Sequence, residues 1–208
     1  MKGSLLVVAV FMLGCFIGYA GMYPEEIFTF NVEVYVLYLL MFLVGLSVGS
    51  DKQLKDILRS IRPKLLLVPL STIIGTLSFT AIASYFISKW SIWQCLAVGS
   101  GFGYYSLSSI LITQFTEKSL GTQLAAELGA IALMCNVIRE IIALLGAPFL
   151  VKYFGRLAPI SAGGATTMDT TLPIITRYCG KDMVFISIFH GVLVDFTVPF
   201  FVSFFCSL

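Results

Sequence analysis

Glu140 and Asp169 stand within long, largely apolar segments of the chain. An ionisable side chain is costly there, so each is a functional candidate. Glu140 follows Arg139, and Asn136 lies one turn earlier on the same helical face. Desolvation and a neighbouring cation act in opposite directions on a carboxylate, which suits a group that must bind and release protons or cations. The structural alternative is an internal Arg139–Glu140 pair that neutralises itself and pins a helix contact. Asp169 is flanked by Thr166, Thr167, Thr170 and Thr171, with Pro173 beyond. A carboxylate among hydroxyls and freed carbonyls is what a cationic substrate needs, although an Asp or Thr before a helical run is also an N-cap signal. His190 and Asp195 fall in the last apolar segment, about 140° apart on a helix, so they do not share a face. His190 reads as a packing histidine, and Glu127, nearly opposite Asn136, as interfacial.

Asp169 belongs to the second of two breaks rich in glycine and hydroxyls. The first runs Gly99-Ser100-Gly101-Phe102-Gly103-Tyr104-Tyr105-Ser106-Leu107-Ser108-Ser109, the second Gly163-Gly164-Ala165-Thr166-Thr167-Met168-Asp169-Thr170-Thr171-Leu172-Pro173. Backbone in hydrocarbon must satisfy its own polar groups, so unwound chain survives only inside protein or beside a polar cavity. Paired breaks of this kind point to a transporter's binding site. Gly101, Gly103, Gly163 and Gly164 are the expected hinges. Tyr104 and Tyr105 can make cation–π contacts with an ammonium, while Ser106, Ser108 and Ser109 offer hydroxyls. Small residues also permit close helix packing, and single glycines such as Gly75 and Gly129 need no other role.

The elements that hold these residues are set by composition. The chain has 208 residues, 58% hydrophobic and 12% charged, with a mean hydropathy of +0.97. A soluble domain is about a quarter charged, so this is an all-α integral membrane protein. Segments long enough to cross a bilayer fall at 4–20, 34–50, 64–88, 91–115, 120–152, 157–179 and 183–206, the fourth and sixth discontinuous or re-entrant. One transmembrane domain is expected over 1–208. Glu25, Glu26 and Glu33 separate the first two segments, whereas 51–64 carries Lys52, Lys55, Arg59, Arg62 and Lys64. Positive charge stays cytoplasmic, which predicts N-terminus inside and C-terminus outside. Seven crossings leave Lys152 and Arg156 on the wrong side of that scheme. Leu54, Ile57, Leu58 and Ile61 make an amphipathic face at the headgroups.

Other classes find little support. The net charge of +2 is spread along the chain, which gives no nucleic-acid surface. The lone histidine and scattered acids make no metal-ligand pattern, and no cofactor motif is present. The five cysteines have no paired spacing and read as small apolar residues. A Ser106–His190 dyad or an Asp169–Asp195 pair could do hydrolytic chemistry, but neither has a flanking nucleophile motif, so an enzyme is not expected. A non-transporting accessory subunit would leave the breaks without a purpose.

The stretches SGFGYYSLSSILIT, VIREIIALL and GGATTMDTTLP, followed by DMVFISIFHG, together resemble the bacterial LysO-type lysine exporters, as does Phe42-Leu43-Val44-Gly45-Leu46. The resemblance covers most of the chain. It implies export of L-lysine and analogues such as thialysine across the inner membrane, driven by proton exchange; an exporter of another small amino acid or cation is the nearest alternative. The family's functional Glu follows an Arg, which places that role on Glu140 beside Arg139. The family's second functional carboxylate belongs to an N-terminal helical part without a counterpart here, so a separate small membrane subunit is the expected partner, with a homo-oligomer possible. His190 fits the family pattern, whereas Asp195 replaces a residue that is usually uncharged.

Overall fold

A computed structural model describes residues 63–208 and seven isolated positions before them, Leu13, Phe16, Ile17, Tyr19, Ala20, Leu39 and Phe42. Contacts divide the chain into Met1–Asp51 and Lys52–Leu208; every element below belongs to the second unit. Apart from the isolated positions, the expected segments 4–20 and 34–50 lie outside the described residues, as does the amphipathic face of Leu54, Ile57, Leu58 and Ile61.

All regular structure among the described residues is helical. In chain order the α-helices are α1 (Leu67–Ser84), α2 (Ile92–Gly99), α3 (Tyr105–Leu120), α4 (Thr122–Phe154), α5 (Ala158–Gly163), α6 (Leu172–Cys179) and α7 (Val184–Cys206), with short 3-10 turns at Pro63–Leu66, Gly164–Met168 and Lys181–Met183. Among the described residues, α1, α4 and α7 are long and apolar enough to cross a membrane. They are apolar nearly all round, as lipid-embedded helices are. Phe196, Phe200 and Phe204 form an exposed stripe on α7, and Leu145 and Phe149 are exposed on α4.

The two broken segments do not cross. Lys89, just before α2, pairs with Glu127 near the start of α4, so the segment that enters at α2 leaves α3 at the same end. Trp93 on α2 stacks on Phe205 at 6.4 Å, which puts the end of α7 there too. Likewise Arg156, just after α4, donates to the Cys179 carbonyl at the end of α6 and pairs with Asp182. Val68 at the start of α1 packs with Ile160, Ile175 and Cys179 at this second end. Each broken segment is therefore a re-entrant hairpin, α2/α3 from one end and α5/α6 from the other.

Local sequence explains the breaks. Ser91 starts α2 with a capping box to Gln94. Pro159 and Pro173 stand in the first turns of α5 and α6, where a missing N–H costs nothing. The order is a span, a hairpin from its far end, a reversed span, a hairpin from the opposite end, and a last span.

Candidate functional site at the hairpin tips

The two tips meet. The Ala165 amide donates to the Phe102 carbonyl at 2.9 Å, linking the breaks directly. Two glycines make that approach possible. Gly103 has φ +102°, and a Cβ there would lie 2.8 Å from the Gly163 carbonyl; Gly164 has φ +65°, and a Cβ there would collide with the Phe102 carbonyl oxygen. Only glycine adopts such backbone freely and leaves the space empty. Phe102, with φ +45°, is forced into the same left-handed region.

The first tip is held by an amide. Asn136 of α4 accepts from the Gly103 amide at 2.7 Å and donates to Ser108 Oγ at 3.2 Å. Ser108 Oγ in turn donates to the Tyr104 carbonyl at 2.7 Å. The second tip is held by hydroxyls and a guanidinium. Thr166 Oγ donates to the Gly163 carbonyl, and Thr171 Oγ to the Thr166 carbonyl. Thr167 Oγ lies within hydrogen-bond reach of the Gly164 and Ser187 carbonyls, and Ser187 Oγ donates back to the Thr167 carbonyl at 2.8 Å. Arg139 of α4 donates to the Ala162 and Ser161 carbonyls at 2.8 and 3.0 Å and to Thr76 Oγ at 3.4 Å. Every enclosed side-chain polar atom among the described residues has a partner, as unwound backbone in hydrocarbon requires.

The alternative of an Arg139–Glu140 pair is not what forms: the ion pairs among the described residues are Lys89–Glu127 and Arg156–Asp182. Arg139 is spent on neutral carbonyls and borders a groove of about 530 Å³ that Ser71, Thr72 and Thr76 also line. Glu140 is half-buried and continues the α4 stripe of Asn136, Ala143 and Ala147. Asp169 is exposed at the second tip and accepts from the Thr170 amide. It is no helix cap, because α6 starts after Thr171 without a side-chain cap bond.

The expected site groups differ in exposure. Tyr105, Ser106 and Thr170 are exposed, while Tyr104 is half-buried at the tip and Thr166 fully buried. His190 is wholly buried, with Nδ1 3.2 Å from Thr167 Oγ and Nε2 3.0 Å from Thr72 Oγ. Each ring nitrogen thus faces a threonine hydroxyl that also reaches a carbonyl, Thr72 that of Val68 at 3.1 Å and Thr167 those of Gly164 and Ser187. Its partners are threonines, so no Ser106–His190 dyad forms and the packing role stands. Ser187 and Thr76 carry tip contacts that the sequence did not single out; their signal is a lone hydroxyl in an apolar helix, which is weak.

Fold and site together define an α-helical integral membrane protein whose two discontinuous hairpins oppose each other tip to tip. The family model for the lysine exporter LysO matches residues 8–206, and the chain belongs to that family. The lysine exporter LysO of Escherichia coli (strain K12) is 35% identical over 207 residues, 98% of this chain and 64% of the relative. A putative lysine exporter of Haemophilus influenzae is 33% identical over 178 residues, covering 84% of each chain. The chain thus spans 64% of the length of the E. coli relative. No solved structure matches it.

Proposed function

We propose that this chain forms the transport core of a secondary active exporter of L-lysine and its analogues across the bacterial inner membrane, driven by proton exchange. The observation that carries the reading is the meeting of two re-entrant tips from opposite ends, with Asp169 at the junction and Tyr104 beside it. Half-helix ends and freed hydroxyls near mid-membrane orient polar substrates in transporters of this build. Site residues are Asp169, Thr166, Thr170, Ser106, Tyr104, Tyr105 and Asn136, with Gly101, Gly103, Gly163 and Gly164 as hinges. A separate small membrane subunit is part of the proposal, and a pull-down with tagged chain tests it.

Extrusion of a cation against its gradient requires coupling, since equal binding in two states shifts no equilibrium. A carboxylate that holds either a proton or an ammonium makes the two occupancies exclusive. Glu140 takes that role, and Arg139 holds the second tip beside it. Lysine export from loaded vesicles under imposed pH gradients tests this. Glu140→Gln keeps the shape and removes titration, so abundant, folded variant protein should show no gradient-driven export. A variant that still responds to the gradient would place coupling elsewhere, and wild-type vesicles that move another amino acid but not lysine would change the substrate.

The re-entrant hairpins also support N-terminus inside and C-terminus outside. Lys152, Arg156, Arg177 and Lys181 belong to the end of the bundle where α1 starts, immediately after the basic stretch 51–64 in sequence. The positive-inside rule then has no exception among them. Replacing two crossings by two hairpins leaves the parity, and so the side of the C-terminus, unchanged. A single cysteine at Lys118 should react with an impermeant thiol reagent on intact cells, and one at Arg177 only after permeabilisation; the reverse pattern overturns the orientation.

A further inference from the structure

We propose that Asp195 completes the cation site at the hairpin junction, receiving the side-chain ammonium of the substrate together with Asp169. The proposal rests on the transport reading for the identity of the cation, but its geometry is independent of Glu140.

Asp195 is 95% buried, being 5% exposed, yet it has no hydrogen-bond or ion-pair partner among the described residues. Every fully enclosed side-chain polar atom there is partnered, so the remaining exposure of Asp195 belongs to its carboxylate and opens onto accessible space. A buried carboxylate left in this way is costly unless a cation or proton joins it. Its level along α7 is fixed from both sides. One turn earlier, ~6 Å along the axis, Gly191 abuts the second tip so closely that a side chain there would meet the Met168 amide at 2.7 Å. On the other side, ~9 Å further along, Phe201 packs edge-on against Phe102 of the first tip. Asp195 therefore lies at the level between the two tips, within about 40° of the Gly191 direction on α7. Asp169 lies within Coulombic range of it, and Tyr104 within range of both carboxylates. His190, one turn away, has both nitrogens committed to threonines, and Arg139 is committed to the second hairpin's carbonyls, so neither neutralises the pair.

Pro199 adds a second acceptor. Proline has no N–H, so the main-chain carbonyl of Asp195, four residues earlier in the same helix, lacks its usual donor. The carbonyl and the carboxylate of one residue thus both lack a usual donor. An ammonium, with three donors and no acceptor, fits that set, and the Tyr104 ring can cover it. A buried carboxylate with a second one in Coulombic range favours a bound cation over a bare charge.

The test uses the full chain, purified with any co-purifying subunit, and measures binding of radiolabelled L-lysine with norleucine as competitor. Norleucine has the same backbone and a similar chain but no side-chain ammonium. Asp195→Asn should weaken lysine binding about 10- to 100-fold, as loss of a charged hydrogen-bonding partner does, and should narrow the preference for lysine over norleucine. Asp195→Glu should keep much of that preference. An Asp195→Asn protein of normal thermal stability that binds lysine as the wild type does overturns the proposal while leaving lysine export standing. Wild-type protein that binds lysine through Asp195 yet exports none supports this site and overturns the transport reading. Absence of lysine binding to wild type overturns both.

Discussion

The two hairpins do the same architectural job by different chemistry. The α2/α3 tip is a glycine turn whose amide and hydroxyl are gathered by one neutral side chain, Asn136. The α5/α6 tip is a threonine-lined 3-10 turn held by the hydroxyls of its own chain, by Ser187 of α7 and by the guanidinium of Arg139. Its arms are also shorter, six and eight residues against eight and sixteen. Less packed helix is compensated by stronger, charge-assisted hydrogen bonds. The lesson is that a short re-entrant arm needs an anchor from outside itself, and here a single α4 turn provides the anchors for both tips.

That difference predicts unequal damage. Arg139→Met should be the more severe change: it strands the Ala162 and Ser161 carbonyls, at about 2–5 kcal/mol in total. The protein should lose thermal stability in detergent, and the second tip should become accessible to a thiol reagent at a cysteine placed in position 166. If the melting temperature and that accessibility stay at wild-type values, Arg139 does not hold the tip. Asn136→Ala should cost less, about 1–3 kcal/mol, and should loosen the first tip alone, so that a cysteine at position 166 remains protected. Ser106→Ala is the control on the same hairpin; exposed and outside this network, it should stay within about 0.5 kcal/mol of wild type. Equal effects of the Arg139 and Asn136 changes at both tips would mean that the hairpins fail as one body, and the contrast would dissolve.

The described helix positions were legible because long apolar runs end at glycine, proline and charge. Whether a broken run crosses or turns back was not. Both cases give a run of about 25 residues with a polar break inside it, and the deciding contacts join Lys89 to Glu127 and Arg156 to Asp182 across distant sequence. The misplaced Lys152 and Arg156 were the trace of that ambiguity. Asp169 was visible as a carboxylate within a break. The role of Arg139 was not, since its partners are backbone carbonyls, which leave no mark on residue identity. Asp195 was visible as a carboxylate in the last apolar segment, but it shares no face with His190 and stands where the family resemblance places an uncharged residue, so nothing in sequence alone gave it weight.

The alternation of span and hairpin has one energetic consequence. The pair formed by α1 and the first hairpin and the pair formed by α4 and the second run through the bilayer upside down relative to each other. If the pairs exchange shapes, an interaction broken in one hairpin tip can find a counterpart in the other. The two end states then differ in free energy through what the pairs do not share: the unequal arms, the unpaired α7 and anchors such as Asn136 against Arg139. In the proposed exporter a proton or an ammonium would tip that balance, while the largest gradient would be set by the proton gradient and the exchange ratio.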